Sequence, residues 1–385
     1  MRWMLTFGCL LALALGCATT PEEQAGKDTD PPENAMLDSE NALSPEAFEA
    51  KVTAAGGRVD YVFCEDRPFE QCHASTVVQA NSGDLLCAWF GGTAEKDPDV
   101  SIWMSRFTGG YWSYPKATAK VGERAHWNPV LFKDQDGNLY LFFKVGVDTI
   151  VWETWYIKSE DGGKTWTEPK ELVPGDKGGR GPVKNKAVIL SDGTWLAPAS
   201  TEHGKDFAGE RRWLPFADIS ADRGATWQRT DDWAMTSEEL RGIGAIQPTF
   251  WESKPGHVHA LMRTSMGRVW RADSMDYGRS WSEVYLTGLP NNNSGLDVLK
   301  LDDGRLFLVF NPVPMNWGPR TPLDLAVSTD NGQTWRTIAH LEDNPDKDSE
   351  YSYPAIVKTK EGMAITYTWQ RQRVRCWQIP LSALE

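Results

Sequence analysis

The sequence predicts an all-β fold, a six-bladed β-propeller with four-stranded antiparallel blades and Asp-box turns, and two repeats carry that prediction. The first is Ser-x-Asp-x-Gly-x-[Thr/Ser]-Trp, which occupies residues 159–166, 220–227, 274–281 and 328–335. Its copies start 61, 54 and 54 residues apart, a period that marks an array of small sheets. The second is an apolar run, a turn carrying Gly and another apolar run. It occurs six times, around Gly83, Gly137, Gly193, Gly256, Gly304 and Gly362. Six such hairpins arranged radially leave only short, protected sheet edges.

Alternating stretches such as Asn128-Pro-Val-Leu-Phe and Asn138-Leu-Tyr-Leu-Phe-Phe make each of these repeats a β-hairpin. A third strand follows every hairpin, over 100–106, 152–159, 216–220, 269–274, 323–328 and 374–379. After the first five, a short fourth strand follows the turn. The sixth blade runs out of chain, and residues 58–63, Arg-Val-Asp-Tyr-Val-Phe, supply its missing strand and tie the two ends together. Within each box, the Asp carboxylate can accept bonds from nearby N–H groups, Gly takes a positive φ, and Trp packs beneath the turn. A turn is needed in every blade and a catalytic group only once, so Asp161, Asp222, Asp276 and Asp330 read as structural.

Residues 1–16 carry one basic residue and then an apolar run too short to span a membrane as a mature helix, which is the pattern of a secretory signal peptide. Its end, Leu13-Ala-Leu-Gly-Cys17, resembles the bacterial lipoprotein cleavage motif, with Ala14 three residues before the cysteine. Cys17 is therefore the expected lipidation site of an exported lipoprotein, facing the periplasm or the cell surface. The alternative is a secreted protein. Residues 17–48, rich in Pro, Glu, Asp, Thr and Ala, read as a flexible linker carrying at most one short helix over 44–51. Residues 49–385 then form one propeller, expected to be monomeric.

The formal net charge is −13 and no basic run occurs, which argues against nucleic acid or an anionic membrane surface as partner. On this reading the membrane is reached only through the lipid. Export permits disulfides among Cys64, Cys72, Cys87 and Cys376, and ring closure brings the strands of Cys64 and Cys376 together. No Cys or His spacing suggests a metal site, and no cofactor is expected. His257 and His259 read as exposed strand residues beside a hairpin turn.

In a propeller every first strand begins, and every second strand ends, on the same face of the central channel. The first-strand starts are His73, His126 to Asn128, Lys184 to Lys186, Gln247, Asn293 to Asp297 and Tyr351 to Tyr353. The second-strand ends bring Trp89 to Gly92 with Glu95, Asp97 and Asp99 beyond, then Lys144, Glu202, Arg263, Asn311 and Trp369 to Arg371. Lys144, Lys184, Lys186, Arg263, Arg320 and Arg371 make this face cationic in an acidic protein. Arg grips a carboxylate through two parallel hydrogen bonds and aromatic rings stack on sugars, so an acidic sugar is the expected ligand. The plainer reading is a polar channel whose groups satisfy one another and hold water.

Four Asp boxes on a six-bladed propeller, an export signal and channel-face arginines together resemble the bacterial sialidase superfamily over about residues 60–380. The resemblance implies an exo-acting glycoside hydrolase that releases a terminal acidic sugar, sialic acid before others. It also implies three arginines on the substrate carboxylate, a Tyr nucleophile assisted by Glu, and an Asp acid/base. Carried over residue by residue, Arg320 matches the last arginine, Arg263 the middle one, Tyr351 the nucleophile and Glu202 its assisting Glu, with Asp99 or Glu95 as acid/base. Asn128, Lys144, Lys184, Asn185, Gln247, Asn293, Asp297 and Trp369 complete the expected substrate-binding set. The departure is at the start of blade one, where His73-Ala-Ser-Thr stands in place of Phe/Tyr-Arg-Ile-Pro. Either Arg67 swings in or the arginine triad is incomplete, and His73 or His126 then serves as a proton carrier. Two alternatives stand beside the hydrolase: a polysaccharide lyase acting on uronic-acid polymers, and a non-catalytic surface carbohydrate-binding propeller.

Overall fold

The computed structural model describes residues 37–204, 211–237 and 242–385; the signal segment, Cys17 and the linker up to residue 36 lie outside them. Six antiparallel sheets follow one another along the chain. Blade one is built on Gln71–Gln79, Leu85–Gly92 and Ser101–Thr108, with Tyr111–Trp112 and Lys116–Ala119 both on its outer edge. Blade two runs from His126–Lys133 to Lys170–Glu171, blade three from Val188–Ile189 to Gln228–Arg229, and blade four from Ala245–Lys254 to Tyr285–Pro290. Blade five spans Asp297–Lys300 to Trp335–Glu342, and blade six holds Tyr351–Lys358, Gly362–Trp369 and Arg373–Pro380. Arg58–Tyr61 closes the ring as expected, pairing antiparallel with the last strand so that Arg58 faces Gln378 and Tyr61 faces Arg375.

The linker ends earlier than the sequence reading placed it. Leu37–Asp38 adds a parallel strand to the outer edge of blade five opposite Trp335 and Arg336, and Leu43 bridges to Ala339. The helix Pro45–Ala54 starts on Ser44, whose hydroxyl accepts the Ala47 N–H, and buries Phe48 in a stack on Trp377. An outer strand offers a row of unpaired backbone groups, and a segment carrying Leu37 and Leu43 covers it while removing apolar surface from water.

The Asp boxes behave as turns. In the first, Ser159 Oγ accepts the Gly163 N–H at 2.7 Å and bonds Asp161 at 2.8 Å, while Asp161 accepts from the Thr165 hydroxyl and from the N–H groups of Lys164 and Thr165. Arg106 of blade one reaches the Gly162 carbonyl of the blade-two box at 2.6 Å, so the turn also locks neighbouring blades. These bonds, from the threonine hydroxyl first, hold Asp161 below its ordinary range and Asp222 at about 2. A depressed folded pKa gives stability that is present above the unfolded value and lost as pH falls through the folded one. The contribution of the Asp222 box is therefore expected to be lost as pH falls from about 4 to about 2, and that of Asp161 at still lower pH. Asp161→Asn should lower Tm by a few degrees at pH 7, and ligand affinity per folded molecule should not change; thermal melts and calorimetry on the same samples check both.

Two further readings are corrected. Cys64 and Cys376 do not meet: Asp60, not Cys64, lies opposite Cys376, the closing strand ends at Tyr61, and Cys64 sits beyond it in an exposed position. All four cysteines are free thiols, and Cys72, Cys87 and Cys376 are buried together around Phe63, Phe69 and Trp89. His259 is buried rather than exposed. It bonds Asp273 and Ser253, stacks on Trp251 and meets Asn331 of blade five, because its strand alternation turns it toward that neighbouring blade.

Candidate active site

One residue at the inner start of every blade adopts a left-handed backbone: Ala74, Asn128, Lys184, Gln247, Asn293 and Tyr353, with φ between 40° and 65°. In blades one, two, four and six the pairing register skips at this point, between His73 and Thr76, Trp127 and Val130, Ile246 and Thr249, and Ser352 and Ala355. A bulge of this kind re-aims side chains that simple alternation would send elsewhere. These side chains surround a cavity of about 500 Å³ on the channel face, within the size range of small-ligand sites.

Of the expected site residues, His73, Glu95, Asn128, Glu202, Gln247, Arg263 and Arg320 line this cavity. Tyr351 does not. Its ring is buried in the core shared by blades five and six, near Trp369, while the bulge brings Tyr353 to the cavity wall instead. The Tyr353 hydroxyl receives a bond from Arg263 Nη1 at 2.5 Å and from Gln247 Nε2 at 3.3 Å. Glu202 is not its partner; that carboxylate accepts from Trp213 Nε1 at 3.0 Å and from Arg211. Asp99 is exposed and caps its own loop through Thr93, leaving Glu95 as the acidic group of that segment at the cavity.

The other expected residues hold the ring together. His126 bonds the Arg124 carbonyl and accepts the Val121 N–H, and burial pushes it down to about 4. Lys144 is consumed by Thr154 and by the Gly179 and Arg180 carbonyls, and Lys184 by Asn185 and the Leu296 and Pro354 carbonyls. Asn185 donates to the carbonyls of Gln247 and Pro248. Asp297 accepts from Lys186, Thr249 and the Ile356 N–H, tying blades three to six across the axis. Asn293 acts indirectly, accepting from Arg263 Nε at 2.7 Å, and Trp369 packs outside the cavity against Arg373. For these groups the plainer reading of a self-satisfied polar channel is the correct one.

Arg67 does not swing in; it caps the Glu65 and Glu70 carbonyls in the loop ahead of blade one. The third guanidinium comes from blade six. The Arg371 carbonyl accepts the Cys72 N–H, which places Arg371 beside His73, and its side chain reaches Glu350 at 2.8 Å and Glu95 at 2.6 Å. Arg320 meets the same Glu350 oxygen at 2.6 Å. Burial alone would raise the Glu350 carboxyl, but Arg320 and Arg371, with the Ser352 hydroxyl, outweigh it and keep the group ionised below its ordinary range. His73 is held well below its usual range, by burial first and then by Arg371, Arg320 and Arg263, so its ring is neutral; it packs 4.2 Å from the Tyr353 ring.

Arg263 differs from the other two arginines. It is 4 % exposed, its bonds go to Asn293, Gln247 and Tyr353, and among the described residues no carboxylate lies within salt-bridge distance of it. Burial lowers its pKa, opposed by Tyr353 and Glu202. A desolvated guanidinium without a counter-ion costs several kcal/mol, and an anion entering the cavity offsets that cost.

Sequence reasoning missed Glu350, Trp213, Trp317 and Arg211, which reach the site from loops and a third strand. It placed Tyr353 on the channel face and assigned the chemistry to its neighbour. Pro354 was the available signal, since proline inside a strand marks a bulge. Among the described residues no group of His, Cys, Asp or Glu is arranged to hold a metal ion.

Residues 83–365 match the sequence profile of the BNR repeat-like domain. No curated protein matches the chain. Among solved structures, a protein of unknown function from Dyadobacter fermentans DSM 18053 superposes with a TM-score of 0.65 at 17 % identity, over 83 % of this chain and 98 % of that one. The Hadza microbial sialidase Hz136 gives 0.69 at 17 %, over 85 % and 69 %. Trypanosoma rangeli sialidase gives 0.64 at 15 %, over 83 % of this chain and 56 % of its own. Likeness at these identities speaks for the fold.

Proposed function

The chain belongs to the BNR repeat-like domain family and is a sialidase-like propeller, and from that premise we propose that it is an exo-acting glycoside hydrolase releasing a terminal acidic sugar, sialic acid before others. The observation that carries the reading is the buried, uncompensated Arg263 with Arg320 and Arg371 beside it, guanidinium groups from three successive blades around one cavity. Five cations, Lys96, Arg211, Arg263, Arg320 and Arg371, face three carboxylates, Glu95, Asp148 and Glu202, along its wall. A sugar carboxylate supplies Arg263 with the partner that the protein does not.

In this reading Tyr353 is the nucleophile. Two N–H groups already converge on its oxygen, where they would stabilise the phenolate that attacks the anomeric carbon after the phenol proton passes to solvent in the cavity. Tyrosine is a known exception to the two-carboxylate scheme and sets no second anion against the substrate's own. Glu95 is the candidate that protonates the leaving oxygen. The test is product analysis on a panel of sialylated glycans: free sialic acid is expected, and methyl esterification of the sugar carboxylate should abolish its release. Release from the ester at an equal rate would remove the role of the arginines.

A second reading, a uronic-acid lyase, is favoured by one feature: among the described residues the Tyr353 hydroxyl bonds no carboxylate, and its ring packs on the neutral His73. An unsaturated product absorbing in the ultraviolet would identify it. We also propose that Cys17 anchors the exported chain; Cys17→Ser should move the protein from membranes to the soluble fraction, and unchanged membrane retention would rule out the lipid.

A further inference from the structure

Nine large apolar side chains are exposed among the described residues, and five of them lie in loops that carry or adjoin cavity-lining residues. Val147 and Val151 flank Asp148, Thr149 and Ile150, three residues that line the cavity from blade two. Met266, Met315 and Trp317 stand on loops of blades four and five. Their exposures run from 37 to 69 %. The two sides are separately braced. Gly146 lies so close to Trp152 that a Cβ there would sit 2.7 Å from the Trp152 Cα, which holds the blade-two loop folded back on itself. Gly267 packs against Pro314 and Met315, which joins the loops of blades four and five into one shelf, and Trp317 carries that shelf to Arg263. An exposed apolar patch around a polar pocket marks a surface that is covered in use.

We infer that this rim binds an apolar leaving group, an alkyl, acyl-bearing or aryl aglycone, attached to the acidic sugar held in the cavity. The inference rests on the acidic-sugar reading and adds to it the chemistry of the part that departs. The cavity is lined by charges and suits the sugar; a polar glycan continuing outward would meet Val147, Val151, Met266 and Met315, which offer it no side-chain hydrogen-bond donors and only a weak thioether acceptor. An apolar chain gains by covering those same groups, because each buried methylene is removed from water on both sides of the contact.

The experiment measures calorimetric binding of three probes to the full chain: the thio-linked methyl and octyl glycosides of N-acetylneuraminic acid, which resist hydrolysis, and the neutral octyl glucoside below its micellar concentration. The octyl sialoside should bind about tenfold or more tightly than the methyl one. In the triple variant Val147→Ser, Val151→Ser, Met315→Ser that ratio should collapse to within about twofold, with methyl sialoside affinity and Tm unchanged since all three side chains are exposed. Equal affinities in the wild type, or a ratio that survives in the triple variant, overturn the inference while leaving the acidic-sugar reading intact. Octyl glucoside binding that the triple variant abolishes, with neither sialoside bound, sinks the acidic-sugar reading and keeps the apolar rim. Failure of all three probes to bind overturns the rim as well.

Discussion

Arg263→Lys is expected to lower kcat/KM for an acidic-sugar glycoside by about 100- to 1000-fold, roughly 3 to 4 kcal/mol of transition-state binding. Lysine keeps the charge but not the fork. Arg263 now spends Nε on Asn293 and Nη1 on Tyr353 and Gln247, so one side chain both positions the phenol and presents its remaining edge to the cavity. A single ammonium cannot do both. Its burial enlarges the effect, because a charge–charge contact shielded from water keeps more of its strength. Saturating acidic sugar should raise the Tm of the wild type through linkage and leave that of Arg263→Lys nearly unmoved. A loss under tenfold, with the ligand-induced rise in Tm retained, would place the anion elsewhere.

The second large effect is at Tyr353. Tyr353→Phe removes one oxygen and should reduce turnover by about 1000-fold or more while leaving the affinity for a bound acidic sugar within a few-fold. Tyr351→Phe should retain turnover, since that ring is buried in the core of blades five and six. The pair tests the bulge itself. If Tyr351→Phe were inactive and Tyr353→Phe active, both folded, the assignment carried over from the family resemblance would stand after all. If both kept full turnover, a proton carrier such as His73 would take the place of tyrosine, and His73→Ala would then be the inactive variant. Glycan binding retained in every variant with no turnover in the wild type is the behaviour of the non-catalytic propeller.

The repeats made the ring legible. Asp boxes and Gly-centred hairpins are local devices: a Ser, an Asp, a Gly and a Trp within eight residues fold the same turn wherever they occur, and the six hairpins count the blades. The closing strand at Arg58–Tyr61 followed from the same arithmetic, one blade being short of a strand. The arginines at 263 and 320 were legible because propeller topology sends strand ends and the loops beyond them to one face. The resemblance of Glu350-Tyr-Ser-Tyr353 to the family's nucleophile motif, by contrast, pointed to Tyr351, and the linker was drawn too long because Leu37 and Leu43 have no visible partner until the edge of blade five exists.

By itself, then, the sequence determined the number of blades, the closure of the ring and the cationic character of one face, since each depends on short-range chemistry repeated along the chain. Tertiary structure alone decided which polar groups stay available for a ligand. Lys144, Lys184 and Asp297 are spent on partners up to 170 residues away, whereas Arg263 is left without a carboxylate. It also decided that Tyr353 and not Tyr351 reaches the cavity. A left-handed residue stands at the start of every blade, and in blades one, two, four and six a bulge there re-aims the side chains, which strand periodicity alone does not foretell.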